Sequence, residues 1–545
     1  MLSLAKVTPQ MGSHYFSKED YYSQEQGPAK PEFFGKGTSL LGIKINFNQI
    51  TFQSLKEGRA QFPAISPEFD CEGLTDLKGF TKGQGEAFRL SMTNKDFLFA
   101  WVGVAGSGKS YALKDVKKVS QDQGYEVIGL APDGNTVKEL AKSTEMKTLT
   151  LDKFLLQKRS KCFKKKLWIV DEAGKISTNK MALLIDKAQE EKARILLVGD
   201  TRQIGAVEAG SPFKLLLKNN ILNVELLEHR RQTNKKLKEA VEMASRDQLI
   251  EKSVYALENN SFVYKTRKSR IKNIVNQYTS LSANELKSTL VITDNNKDRL
   301  DLVSEIRKEL KKVGKIGKHS HSATILRPKD LSEAQKKYHW SYQLGDVIVP
   351  FKDIENTALK KDYQYTVEKI NKKTGQVTLR NRDFYTTISP MKVSKFSIYR
   401  EDKLDISGGD ILNWTKNNNG KINREQVSVK KIENNLIYLN ETKEPINLQS
   451  KHYLDHAIVQ TTYGSQGQTA DNIIFMAESN VSSETWYVAI SRAKNKAIIV
   501  TDNLDKLSKR VLLKQQKFNA LDFDVDTLNK KKDITKVDNS FEVSL

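Results

Sequence analysis

Residues 97–120, FLFAWVGVAGSGKSYALKDVKKVS, decide the fold of this chain. An apolar run ends at Gly103, a glycine-rich turn follows, and a stretch with helical spacing opens directly behind it. Gly103, Val104, Ala105, Gly106, Ser107, Gly108, Lys109 and Ser110 match the pattern G-x-x-x-x-G-K-[ST]. Glycines let successive backbone N–H groups curl round phosphates, and the helix start adds the positive end of its dipole. Lys109 is placed to reach the β- and γ-phosphates of a nucleotide, and the Ser110 hydroxyl to hold Mg²⁺. The strand before the turn and the helix after it separate a nucleotide site from a chance glycine-rich turn.

Outward from this turn the same grammar repeats. Apolar runs recur at 125–131 (YEVIGLA), 167–170 (LWIV) and 194–200 (RILLVGD), with helical stretches between them. Short buried runs closed by Gly, Asp or Pro are the mark of parallel strands with crossover helices. A second set is split: STLVITD (288–294) is followed much later by HAIVQTTYG (456–464) and KAIIVTD (496–502). From about 335 to 450 the pattern changes to short alternating strands with turn signals, among them GDVIVPF and GDILNWTKNNNGK.

LWIV delivers Asp171 and Glu172 to the carboxyl edge of its strand, where open α/β sheets bind ligands. Asp171 is expected to hold Mg²⁺ through water and Glu172 to polarise an attacking water. Gln203, in GDTRQI after RILLV, stands where a γ-phosphate can be sensed. Arg231, and Arg492 in Ile490-Ser-Arg-Ala493, offer guanidiniums to transition-state charge. An isolated arginine is more often a surface ion-pair partner, so these assignments lean on the order of the parts.

Composition points to a polyanionic partner. Lys plus Arg total 89 against 66 Asp plus Glu in 545 residues, a net charge of +23. An excess of that size attracts nucleic acid, or less specifically an anionic membrane surface. Two cysteines, Cys71 and Cys162, make no disulfide framework, and no apolar run approaches a membrane span. A cytoplasmic protein with no membrane partner is expected.

The order of these parts resembles superfamily 1 helicases, and within them the RecD-like branch, over about residues 75–505. Thr81-Lys-Gly-Gln84 resembles the Q motif, GVAGSGKS motif I, VDEA (170–173) motif II and GDTRQIGAVEAGSPF (199–213) motif III. EHRRQ (228–232) resembles motif IV, TTYGSQGQTADN (461–472) motif V, and WYVAISRAKNKAIIV (486–500) motif VI. The resemblance implies that Gln84 contacts adenine, that Gln203 and Arg231 read the γ-phosphate, and that Arg492 is an arginine finger. It implies a backbone-clamping turn at Gly464-Ser465-Gln466-Gly467, with ATP and Mg²⁺ as cofactors. There are departures. Asp133 and Thr136 stand in APDGNTVKEL (131–140) where the branch has Thr and Ala, and an acid there would repel a DNA phosphate. Tyr463 stands where His is frequent.

The implied fold is α/β: two RecA-like parallel-sheet lobes, at 70–225 and at 226–334 with 451–510. An SH3-like β-barrel module is inserted at 335–450, and a polar tail follows at 511–545. In the branch that module helps hold single-stranded DNA. Trp340, Tyr342 and Trp414 are placed either to stack bases or to fill the module's core.

Residues 1–45 resemble the start of MobF-type conjugative relaxases, which places a truncated relaxase-like remnant at 1–60. The resemblance rests on MLS, the clusters Tyr15-Phe16 and Tyr21-Tyr22, and Phe34-Gly-Lys-Gly37. In that family an early tyrosine attacks a DNA phosphate, so Tyr15, Tyr21 or Tyr22 stands in the nucleophile's place. The metal that chemistry needs is held by a histidine triad with a His-hydrophobe-His core. Here His319-Ser-His321 is the only pair of that spacing, and it lies in the motor region.

The reading that follows is an ATP-dependent DNA helicase or translocase, resembling the motor half of MobF relaxase–helicases. It would act on single-stranded DNA and duplex/single-strand junctions, 5′→3′ by resemblance, beside a separate relaxase or conjugation machinery. A DNA-binding accessory protein with a degenerate motor, and a relaxase-type nicking transesterase, are the rival readings.

Overall fold

The computed structural model describes residues 61–66, 79–158, 164–205, 210–329, 331, 333–355, 357–382, 384–393, 395–417, 421 and 423–514. The relaxase-like segment with Tyr15, Tyr21 and Tyr22, both cysteines and the tail from 515 lie outside these residues.

The first lobe is one parallel sheet of six strands in the order β3-β2-β4-β5-β1-β6. The strands are β1 (Leu98–Gly103), β2 (Tyr125–Ala131), β3 (Lys147–Thr150), β4 (Lys165–Val170), β5 (Ala193–Gly199) and β6 (Leu222–Leu226). Residues of β1 and β5 are buried throughout, because helices cover both faces of a parallel sheet. Alternate side chains serve two cores. Leu98, Ala100, Trp168 and Leu197 pack against the helix Thr178–Glu190. Phe99, Trp101, Ile169 and Val198 face the helices Lys82–Thr93 and Lys109–Asp122.

The second lobe repeats the plan with five parallel strands. Their order is Val459–Thr461, Thr289–Thr293, Ala470–Ala477, Ala493–Thr501 and Ser261–Val263. Between the second and first of these strands the chain leaves the lobe and builds two further sheets, antiparallel but for one edge pair. The larger has seven strands centred on Val347–Pro350, with Phe396–Ile406 beside it, and the smaller has five centred on Gln426–Glu433. The inserted strands run from His321 to His456, because His321–Pro328 pairs along its whole length with Phe396–Ile406.

The insert is fastened to the second lobe by ion pairs. Arg307, on the helix Asn296–Lys312, grips Asp410 in a fork of 3.0 and 2.8 Å, and Asp410 is 1% exposed. Arg299 and Arg327 share Asp455, each at 2.9 Å, and Arg327 also reaches Asp402 at 2.6 Å. Guanidinium forks of this kind fix orientation as well as distance. Tyr342 and Trp414, which the sequence leaves between base stacking and core, are both 3% exposed and belong to the core. Trp340 is 68% exposed and stacks on Tyr338 at 4.4 Å. His319 and His321 are exposed. Among the described residues no group of three or more His, Cys, Asp or Glu is placed to hold a metal.

Candidate active site between the lobes

β1 runs straight into the phosphate loop, and the helix behind it starts at Lys109. Gly106 and Gly108 have φ of 78° and 73°, the left-handed region that only glycine adopts without strain. A Cβ on Gly106 would come within 2.5 Å of the Arg231 Cβ, so the loop also needs glycine there to admit its neighbour. Lys109 Nζ donates to the loop's own Gly103 and Val104 carbonyls at 2.8 and 3.1 Å. Ser110 is half-buried in the first turn of the helix.

A shell of residues from elsewhere holds the loop. Gln84 is fully buried behind it, and its Nε2 donates to the Ser107 and Gly108 carbonyls at 3.0 and 3.3 Å. Its Oε1 accepts the Thr81 N–H, which completes a capping box on the helix Lys82–Thr93. The amide expected at adenine is therefore committed at both ends to the loop and the cap. The segment Glu228–Gln232 wraps the other side. Glu228 accepts from the Thr81 hydroxyl at 2.6 Å, His229 Nδ1 meets the Ala105 carbonyl at 3.2 Å, and the Arg230 N–H donates to the Gly106 carbonyl at 2.9 Å. Burial pushes the His229 imidazole down to about 4, so it is neutral and Nδ1 carries the donated proton.

Asp171 and Glu172 follow β4 at the same edge of the sheet. Burial and the neighbouring Glu172 carboxylate push Asp171 up to about 6. Burial acts upward on Glu172 too, but Lys175, Lys109 and Arg492 outweigh it and hold that carboxyl below its ordinary value. Glu172 has φ of 53°, a conformation non-glycine residues rarely take and one that recurs at active sites. A hydroxyl at Ser110 and a carboxylate at Asp171 are hard oxygen donors. They suit Mg²⁺, which keeps waters and substrate phosphates as its other ligands. The raised Asp171 fits the same group, since a cation would relieve the repulsion between the two acids.

The second lobe contributes cations. Arg492 is 1% exposed and is held by the Val488 and Gln468 carbonyls at 3.1 and 3.3 Å. Arg231 donates to the Ser491 carbonyl at 2.8 Å. Burial and the adjacent Arg492 lower Arg231 to about 10, and neither guanidinium has an ion-pair partner among the described residues. Glu172 and Glu139 act on both guanidiniums electrostatically without a direct ion pair, and two such groups buried side by side suit a multiply charged anion. Ser107 Oγ and Gln203 Oε1 are buried without a hydrogen-bond partner, as is usual where a ligand completes a site, and Lys175 Nζ has only its 3.6 Å ion pair with Glu172.

Two residues that the sequence reading passed over join the lobes. Tyr487, on the helix Ser483–Ile490, accepts the Ala105 N–H at 2.8 Å and donates to Asp200 Oδ2 at 2.9 Å. Asp200 also accepts from Gln203 Nε2 at 3.4 Å and from the Arg202 N–H at 3.0 Å. One signal was present: a lone hydroxyl within the otherwise apolar stretch WYVAI.

A cleft of about 170 Å³, reaching Lys175 beside Glu172, is lined by Asp133, Lys175, Lys180, Arg424, Tyr463 and Gln466. Asp133 is the N-cap of the helix Gly134–Thr144 and accepts from the Thr136 N–H and hydroxyl, both at 3.0 Å, so its charge is employed locally. Gln466 Nε2 donates to the Ile204 carbonyl at 3.0 Å, and Gly467, with φ of 84°, faces Thr136. Arg424 of the insert lies over the Tyr463 ring at 5.7 Å, and Lys138 pairs with Glu425 at 2.9 Å. The insert thus touches both lobes at this cleft.

Three family descriptions match parts of the chain. An AAA domain matches residues 79–268, the DNA relaxase TraI 2B/2B-like domain 325–406, and the viral superfamily 1 RNA helicase core domain 376–501. Multifunctional conjugation protein TraI of Escherichia coli strain K12 is 24% identical over 540 residues, covering 86% of this chain and 30% of TraI. Conjugal transfer protein TraA of Rhizobium radiobacter is 32% identical over 173 residues, 31% of this chain and 15% of TraA. The chain thus spans about 30% of the length of the TraI proteins it matches. Pif1 helicase from Bacteroides, solved in complex with ADP-AlF3 and ssDNA, aligns with a TM-score of 0.40 at 17% identity, covering 83% of this chain and 97% of that one.

Proposed function

We propose that this chain, a superfamily 1 helicase related in sequence to the conjugation protein TraI, is an ATP-driven motor that moves 5′→3′ along single-stranded DNA. The observation that carries the reading is the pairing of Arg231 and Arg492, held by second-lobe carbonyls, with Lys109, Asp171 and Glu172 of the first lobe. A nucleotide bound between them is gripped from both sides, so its hydrolysis changes what holds the lobes together.

In this reading Lys109 exchanges its contacts with the loop carbonyls for the β- and γ-phosphates. Ser110 and Asp171 would hold Mg²⁺, which would supply positive charge beside the phosphates. Glu172, kept ionised by its surrounding cations, orients and accepts a proton from the attacking water. Gln203 reads the γ-phosphate side, and Arg231 and Arg492 stabilise the charge that develops. Gln84 acts as a positioning residue for the phosphate loop. The cleft between Asp133, Tyr463, Gln466 and Arg424 is the place for the DNA strand, and the net charge of +23 draws it in. We assign the first lobe to 70–225, the second to 226–320 with 457–510, and the inserted module to the chain between, wider than the expected 335–450 because its strands run from His321 to His456. The motor works in the cytoplasm on strands supplied by a relaxase or conjugation machinery.

Unwinding of 5′-tailed and 3′-tailed duplexes, with ATP hydrolysis measured against single-stranded DNA and RNA, tests this directly. Expected are hydrolysis stimulated by DNA, unwinding only from the 5′ tail, and loss of both in Lys109→Ala. Binding of single strands without hydrolysis would sink the motor reading in favour of an accessory protein.

A further inference from the structure

We propose that Tyr487 is a positioning residue that sets the phosphate loop and Gln203 to a common register with the second lobe, acting through Asp200. The inference rests on the motor reading and deepens it. A phenol has one proton to give. Since the Ala105 N–H can only donate and the Asp200 carboxylate accepts, the direction of the chain is fixed. It runs from the Ala105 N–H to Tyr487 Oη, and from Tyr487 O–H to Asp200 Oδ2.

Three elements of different origin meet at that hydroxyl. Ala105 belongs to the phosphate loop, Asp200 to the turn after β5, and Tyr487 to the second-lobe helix that also carries the Val488 carbonyl holding Arg492. Tyr487 is 1% exposed and Asp200 4%, so water cannot substitute for either contact. The carboxylate also orients Gln203. An acceptor-only group on its Nε2 side obliges the side-chain amide to present its NH₂ to Asp200, leaving Oε1 and one N–H for a ligand. A displacement of the second lobe therefore moves Tyr487 against two nucleotide-facing groups at once. The Ala105 carbonyl, held by neutral His229, keeps the loop from following freely.

The test is a double-mutant cycle on DNA-stimulated ATP hydrolysis, with Tyr487→Phe and Asp200→Asn alone and combined. Phenylalanine keeps the ring in its packing and removes only the hydroxyl. Each single change is expected to lower kcat about tenfold with KM for ATP held within about twofold, as for loss of one hydrogen bond to a charged group. The double variant is expected to fall no further than the worse single one, because both changes cut one chain. A merely structural role would lower the melting temperature and leave kcat per folded molecule intact, which overturns the proposal. So do multiplicative losses in the double variant, or a rise in KM with kcat unchanged. Should Tyr487→Phe fail to fold, Asp200→Asn carries the same expectation of a fall in kcat alone. A wild-type protein without ATP hydrolysis overturns the motor reading and this inference together, whereas an active wild type with an unaffected Tyr487→Phe overturns this inference only.

Discussion

Replacing Arg307 by Met should loosen the insert from the second lobe at a cost that the structure allows to be worked out. Asp410 is 1% exposed and accepts two guanidinium hydrogen bonds, of 3.0 and 2.8 Å, together with the Ser407 N–H at 2.7 Å. Methionine fills much of the same volume, so packing changes little. The carboxylate is left buried with a single neutral donor, and removing one partner of a buried pair costs about 3–5 kcal/mol. The inserted strands span about 140 residues, from His321 to His456. With an unfolding entropy near 2.1 cal/mol/K per residue, that cost lowers the melting temperature of the insert by roughly 10–17 °C. Differential scanning calorimetry of the whole chain, with limited proteolysis to show which region opens first, reads the effect. The double change Arg307→Met with Asp410→Asn removes the stranded charge while the Asn carbonyl keeps the Ser407 contact, and it should recover most of the loss. If single and double variants melt alike, the cost does not lie in an unpaired carboxylate and the reasoning is refuted.

Arg492→Lys should lower kcat for ATP hydrolysis by about 10²–10³, the range for losing a preorganised donor, while affinity for a fluorescent ATP analogue holds. An ammonium cannot satisfy the Val488 and Gln468 carbonyls and still face a phosphate. His229 and His456 are both buried with folded values near 4 against an ordinary 6.5. The unfolded chain takes up their protons first. Their contribution to stability is therefore complete above pH 6.5 and is lost as pH falls towards 4, the loss reaching about 2 kcal/mol each by pH 5. Melting curves at pH 7.5 and 5 should show that slope, and His229→Gln with His456→Gln should flatten it. Trp340→Ala should weaken binding to single-stranded DNA by about 1–3 kcal/mol in fluorescence titrations. Its exposed position predicts an unchanged melting temperature.

Much of the two-lobed α/β core was legible because burial writes itself into sequence. The runs at 97–104, 125–131, 167–170 and 194–200 are the four inner strands of the first sheet, covered on both faces. The two edge strands, Lys147–Thr150 and Leu222–Leu226, were missed because each keeps exposed positions and so lacks a continuous apolar run. In the second lobe the central strand Ala470–Ala477 escaped notice although NIIFMA is apolar, since its first residues were absorbed into the motif before it. At the site, residues recognised by type and spacing came together: Lys109, Asp171, Glu172, Arg231 and Arg492 share one set of mutual electrostatic effects. What spacing did not reveal is the layer behind them. The placement of Gln84 on the loop carbonyls, and the bridge through Tyr487 and Asp200, depend on how separate segments pack. No local pattern encodes that.

The segment Glu228–Gln232 is neither helix nor strand, yet its members engage the Thr81 cap, two successive loop carbonyls and the carbonyls of Ser491 and Ala493. Connecting segments elsewhere in proteins tolerate insertions because lengthening a loop costs little entropy. This one has no slack. A single added residue would shift every later contact off its partner, so the chain cannot vary in length here without uncoupling one lobe from the other. Drift in loop length, the cheapest raw material of divergence, is closed off along this connection between the two sheets.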